Sequence, residues 1–141
     1  MTETSNLMEV RNVSKAFGED WEREQVVENL SLNIKRNQLT AIVGPSGCGK
    51  STVVNLLAGF ESPDSGQILL EGETVSGPSK DRLVVFQETA LMPWLNTYQN
   101  VTFGPKLRGD MSARELKIAA DRIIDTVGLR EFKDKYPLQL S

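Results

Sequence analysis

The sequence predicts an α/β fold, on three observations. Two stretches near the N-terminus alternate apolar and polar residues, as antiparallel strands do. A compact run rich in β-branched residues, residues 39–43 (LTAIV), leads straight into a glycine-rich loop. A helical pattern begins at the last glycine of that loop. At 141 residues the chain is long enough to bury a core.

Taken in order, residues 7–13 (LMEVRNV) read as the first alternating strand. Residues 18–24 (GEDWERE) are charged and suit a solvated hairpin tip, and residues 26–34 (VVENLSLNI) read as the second strand. After a polar turn at 35–37, residues 39–43 have the composition of a strand buried on both faces. From residue 49 to residue 60, Val53, Val54, Leu56, Leu57 and Phe60 recur near the helical period. Residues 62–66 (SPDSG) form a turn cluster, 67–70 a strand, 71–74 the start of another turn, and 76–79 (SGPS) a loop. Residues 83–86 (LVVF) read as a further buried strand. Residues 87–93 are a loop, because Pro93 lacks the N–H that a ladder needs. Ser112 and Glu115 stand at capping-box spacing before a helix that places Leu116, Ala119, Ala120, Ile123 and Val127 on one face, and Gly128 is its stop. No repeat or low-complexity segment interrupts this order.

Composition narrows the function. Hydrophobic residues make up 39% and charged residues 25%, with a net charge of −3, which does not favour a nucleic-acid partner. One cysteine forbids an internal disulfide and fits a reducing compartment. Residues 1–9 lack the basic start and apolar run of a signal peptide, and no apolar stretch approaches a membrane span. A membrane role would therefore run through a protein partner rather than direct insertion. The chain has no histidine, so any step needing an imidazole must take it from elsewhere.

Residues 44–52 read GPSGCGKST and fit the pattern G-x-x-x-x-G-K-[ST], with Gly44, Gly49, Lys50 and Ser51 at the fixed positions. Glycines at this spacing let successive backbone N–H groups of a loop through Pro45, Ser46, Gly47 and Cys48 turn inward onto phosphate oxygens. The helix that follows points its positive end at the same anion. Lys50 is expected to bridge the β- and γ-phosphates of ATP, Ser51 to place its hydroxyl on Mg²⁺, and Thr52 to touch the α-phosphate. Cys48 fills a variable position, with a thiol open to reaction in an empty site. The bland alternative is a chance glycine loop, and the strand before and helix after argue against it.

Residues 13–18 (VSKAFG), the loop GPSGCGKST, residues 56–72 (LLAGFESPDSGQILLEG) and residues 84–101 (VVFQETALMPWLNTYQNV) together resemble an ABC transporter ATPase, in order and spacing across nearly the whole chain. The stretch FQETALMPWLNTYQNVTFG is most similar to the nitrate, sulfonate and taurine import group. The resemblance implies an N-terminal antiparallel β portion and a P-loop NTPase core with parallel strands over 1–86, followed by the Q-loop and part of a helical subdomain over 87–141. It implies that Phe17 stacks on adenine, the alternative being a core aromatic at a strand end. It implies that Gln87 reaches the γ-phosphate, Mg²⁺ and attacking water, the alternative being a surface glutamine. The apolar loop of Leu91, Met92, Pro93, Trp94, Leu95 and Tyr98 would face a membrane permease, or pack within its own domain.

In the resembling family the rest of the signature motif, the Walker B strand with its Mg²⁺-binding aspartate, the catalytic glutamate and the switch histidine follow the point reached at Leu140 and Ser141. The expectation is an incomplete domain from an ATP-hydrolysing import subunit, which acts as a dimer with a second ATPase subunit at the inner face of the membrane. Alone it would bind nucleotide weakly and turn it over negligibly, since Lys50, Ser51 and Gln87 come without a general base. The alternative is a non-catalytic module that binds nucleotide or docks on a permease. A kinase or switch GTPase is disfavoured, because neither an N-K-x-D pattern nor an acceptor-binding lid is found.

Overall fold

The computed structural model describes residues 6–86 and 90–140, the side chain of Asp20 excepted, and divides into two compact units, Met1–Val85 and Phe86–Ser141. In the first unit the alternating segments become long strands, β1 (Asn6–Phe17) and β2 (Glu24–Lys35). They are joined through Gly18 and a 3₁₀ turn at Asp20–Glu22. Gly18 has φ +96°, and a Cβ there would lie 2.4 Å from the Glu22 carbonyl oxygen, so the tip requires glycine. β3 (Ser65–Leu70) pairs with the other edge of β1, and a two-residue β4 (Glu73–Thr74) pairs with β3. The four strands are antiparallel in the order β2-β1-β3-β4.

β1 and β2 carry several register shifts, and Asn12 and Asn29 adopt positive φ near them. Side chains take over where the ladder is interrupted: Ser31 Oγ accepts the Asn12 N–H at 2.9 Å, and Ser14 Oγ accepts the Asn29 N–H at 2.9 Å. One face of the sheet is apolar. Met8, Val10, Val13, Val27 and Ile68 pack with Val53 and Leu56 of helix α1 (Lys50–Ala58). Glycine ends α1: Gly59 has φ +83°, and a Cβ there would stand 2.3 Å from the Gly77 carbonyl oxygen. Arg82 bonds the carbonyls of Ala58 and Gly77, tying the 77–82 loop to that terminus.

Two expectations fail here. Residues 39–43 and 83–86 are not strands, and parallel core pairing is absent among the described residues. Leu39, Val43, Leu83 and Val85 are almost fully exposed. A strand exists only through its ladder partners. These runs have the composition for a buried sheet, but neither joins the ladder of the described strands. The helix expected over 49–60 is also shorter, with Val54 and Phe60 half exposed while Val53 and Leu56 face the sheet.

The second unit is helical. α2 (Thr97–Arg108) begins at a capping box in which Asn96 Oδ1 accepts the Gln99 N–H and Gln99 Oε1 accepts the Asn96 N–H. This helix was not anticipated. α3 (Ala113–Thr126) begins at the Ser112–Glu115 box that the spacing predicts. Its buried face is Leu116, Ala120 and Ile124, rotated from the expected one: Ala119, Ile123 and Val127 are exposed. The stripe that wins is the i, i+4, i+8 row of apolar residues in a helix packed against α2.

An ion-pair network fastens the chain after α3. Asp121 accepts from Lys117 Nζ at 2.8 Å and from Lys133 Nζ, and Lys133 Nζ also sits 4.6 Å from the Tyr98 ring centroid. The Thr97 and Tyr98 N–H groups donate to the carbonyls of Lys135 and Lys133, so the same segment holds the start of α2. The hydrogen bond from Lys117, then that from Lys133, draws the Asp121 carboxyl from 3.8 down to about 2. A lowered carboxylate stabilises the fold above its unfolded pKa and loses that contribution as pH falls through the folded one. Wild type should therefore melt higher than Asp121→Asn in mildly acidic buffer, and thermal melts of the two should converge as pH falls to about 2.

Candidate functional site

The motif loop, residues 44–49, precedes α1 in the first unit. Gly47 and Gly49 have φ +79° and +88°, conformations that side chains resist. Gly49 also lies against β2: a Cβ there would stand 2.8 Å from the Val26 carbonyl oxygen and 3.2 Å from Val26 Cγ1. At Gly44 a Cβ would meet Cys48 Sγ at 2.8 Å. Gly49 is thus demanded by close approach as well as by backbone angle, Gly47 by backbone angle alone, and Gly44 meets only the Cys48 side chain.

Gly49 is the N-cap of α1, no side chain caps the helix, and its first turn holds no acidic residue. The Val53 N–H closes the first turn on the Gly49 carbonyl at 2.9 Å. Helix geometry leaves the N–H groups of Lys50, Ser51 and Thr52 without intrahelical acceptors. These donors and the positive end of α1 make a seat for an anion rich in oxygens. Lys50 is folded back over the loop, its Nζ donating to the carbonyls of Gly44 at 3.0 Å and Pro45 at 2.5 Å, with Cys48 Sγ at 3.7 Å. Ser51 is exposed beside it, and Thr52 is half-buried.

A cation at this seat would find little protein to bind. Among the described residues no group of three or more acidic, histidine or cysteine side chains could hold a metal. The donor set fits Mg²⁺ bound through the Ser51 hydroxyl, phosphate oxygens and water, the usual division for this ion.

Phe17 ends β1 and pairs with Glu24 at the start of β2. Two residues farther along β2 is Val26, the contact of Gly49, so the aromatic and the loop share one end of the hairpin. The ring is 40% exposed, unlike a core aromatic, with Lys15 Nζ 5.2 Å from its centroid. Gln87 lies outside the described residues, as does Ser141.

In the second unit, Asn100 pins the apolar loop. Its Oδ1 accepts the Met92 N–H at 2.9 Å, and its Nδ2 donates to the carbonyls of Met92, Leu95 and Asn96. Trp94 projects from this tied loop at 69% exposure, Leu91 is exposed, Pro93 is exposed, and Tyr98 is half-buried under Lys133. Leu91, Met92, Val101, Phe103, Leu129 and Leu140 contribute to the lining of an apolar groove of about 330 Å³. Sequence reasoning singled out the loop but missed Asn100 and Val26. Val26 carries no local signal because only the fold brings its carbonyl to Gly49, while Asn100 binds main chain four to eight residues before it in a loop whose shape the sequence does not show.

Residues 27–141 match the family model described as ABC transporter. A taurine import ATP-binding protein, TauB, of Pseudomonas aeruginosa is 41% identical over 92% of this chain and 49% of its own length. An uncharacterized ABC transporter ATP-binding protein of Methanocaldococcus jannaschii is 42% identical over 95% of this chain and 50% of its own. The chain thus spans about half the length of the curated relatives it matches. Among solved structures, a dimeric ATP-binding cassette in a post-hydrolysis state bound to ADP and Pi superposes with a TM-score of 0.79 at 29% identity, over 95% of this chain and 63% of that one. The protein cbiO1 from Clostridium perfringens, part of the ABC transporter complex cbiONQ, gives a TM-score of 0.75 at 26% identity over 96% of this chain and 56% of that one.

Gly49→Ala tests the seat directly. Forcing alanine into φ +88° against Val26 should destabilise the fold by at least about 1–2 kcal/mol, the cost of a left-handed alanine. It should also abolish binding of inorganic tripolyphosphate, measured by calorimetry at a temperature where the melt shows the variant folded.

Proposed function

Because the chain belongs to the ABC transporter ATP-binding family, we propose that residues 44–52 bind the phosphates of ATP with Mg²⁺ and that this binding powers import of a small solute carrying an anionic group through a membrane permease. Taurine, another sulfonate or nitrate is the proposed solute. The taurine import relatives at about 40% identity support it, as does the stretch FQETALMPWLNTYQNVTFG. The observation that carries ATP binding is the convergence of uncapped helix donors, a left-handed glycine pair and the Lys50 ammonium on one loop.

Each group has a definite task. The loop N–H groups hold the phosphate oxygens. Lys50 exchanges the carbonyls of Gly44 and Pro45 for the β- and γ-phosphates. Ser51 offers its hydroxyl to Mg²⁺, which neutralises phosphate charge when bound. Thr52 touches the α-phosphate, and Phe17 stacks on the adenine. Gln87, matched by position in the motif order, orients water near the γ-phosphate.

Hydrolysis is proposed for the assembled transporter, with a second ATPase subunit closing on this loop. The dimeric cassette bound to ADP and Pi supports that arrangement by likeness. No described helix is long and apolar enough to cross a membrane, and attachment is proposed through Leu91, Met92, Trp94 and Tyr98 to the permease at the inner face. The exposed side chains of Leu91 and Trp94 on a loop tied by Asn100 support this reading.

Calorimetric titration with Mg²⁺–ATP tests the site: Lys50→Ala should weaken binding at least tenfold, about 1.4 kcal/mol. Equal affinity in wild type and variant would remove Lys50 from the reading. Trp94→Ala should leave ATP binding unchanged and reduce co-purification with the permease. Loss of both together would sink the docking assignment.

A further inference from the structure

We propose that Asp64 is a positioning residue for the nucleotide base: it locks the end of β1 that carries Phe17 and, with Lys15, backs the ring on which the base stacks. The inference rests on the stacking role proposed for Phe17.

The need for such a lock comes from the sheet. β3 pairs with β1 only as far as Ser65 opposite Ser14, so Lys15, Ala16 and Phe17 run on without a strand on that side. The β1–β2 register also shifts between Lys15 and Ala16. Asp64 stands where the next rung would be. Its own N–H donates to the Ser14 carbonyl at 2.9 Å, and its Oδ2 accepts the Ala16 N–H at 2.9 Å. The same oxygen accepts from Arg23 Nη2 at 2.8 Å, which secures the return side of the hairpin. One carboxylate therefore holds both sides of the tip at Phe17.

The ring has a second support. Lys15 Nζ donates to the Ser62 carbonyl at 2.9 Å and lies 3.5 Å from Glu61 and 3.6 Å from the other Asp64 oxygen. Its side chain is only 14% exposed, and its ammonium sits 5.2 Å from the Phe17 centroid. The cation takes one face of the ring, while the 40% exposure leaves area for a flat ligand. The Ala16 N–H, then Arg23, holds the Asp64 carboxyl below the usual aspartate range, in keeping with a carboxylate that stays charged in this role. The groups that the Asp64 carboxylate touches are the Ala16 N–H beside Phe17, Arg23 on the return side of the tip and the ammonium behind the ring.

The test compares ATP with inorganic tripolyphosphate, which has the phosphates without the base, as calorimetric ligands of the chain. Phe17→Ala and Asp64→Ala should each weaken ATP binding roughly tenfold, the scale of one lost base–aromatic stack, with tripolyphosphate affinity unchanged. The double variant should lose no more than either single one. Asp64→Asn, which keeps an acceptor for the Ala16 N–H, should recover part of the loss. Lys15→Met, which removes the cation and keeps the stem, should show a smaller base-selective loss. If Phe17→Ala is base-selective and Asp64→Ala is not, the positioning role is wrong and stacking stands. Should Asp64→Ala weaken both ligands equally, or unfold the chain while Lys15→Met has no effect on ATP, Asp64 is a structural residue only. No base-selective loss in Phe17→Ala would remove the stacking reading, and this proposal with it.

Discussion

The backbone of Gly49 lies so close to the Val26 carbonyl that no side chain fits between them. That approach joins the hairpin to the start of α1. It sets where the helix donors point, and it brings the Phe17 end of β1 to the same side as the loop. The apolar face of the sheet then closes over Val53 and Leu56, one turn into the helix, so core packing and anion seat share one anchor. A change at either Gly49 or Val26 would reach both.

Backbone hydrogen bonding explains which strands form. β1 and β2 form a hairpin, β3 returns from beyond α1 to the other edge of β1, and β4 pairs with β3, so each has an antiparallel neighbour among the others. Residues 39–43 and 83–86 have stronger strand composition than β4, yet remain irregular and exposed. Composition expresses how well a segment would fit a sheet; the ladder decides whether it enters one.

The sequence was most informative where geometry leaves few residues to choose from. The motif glycines were legible because only glycine tolerates the angles at Gly47 and Gly49 and the backbone contact at Gly49. Alternation exposed β1 and β2, and the Ser112–Glu115 spacing exposed the start of α3. α2 opens on a cap of the same kind, Asn96 with Gln99, but Gly104 and Pro105 inside it obscured the helical pattern. The α3 face was misjudged because Ile123 and Val127 are as apolar as Ile124, and only packing distinguishes them. Asp64 and Asn100 were illegible for another reason: both act through main-chain groups, and Asp64 reaches one 48 positions away.

The clasp of Lys50 on Gly44 and Pro45 changes what an incoming ligand meets. The ammonium is not a solvated charge waiting for any counter-ion. It is already engaged by two carbonyl dipoles that hold the loop in shape, so binding is a displacement. A small monoanion such as chloride offers one diffuse charge against two well-aimed acceptors and gains little from the exchange. A polyphosphate brings several charged oxygens and also meets the helix donors that the carbonyls cannot reach. In the proposed phosphate role, that exchange favours ligands of high charge density over simple salts, before any feature of a base or sugar is read.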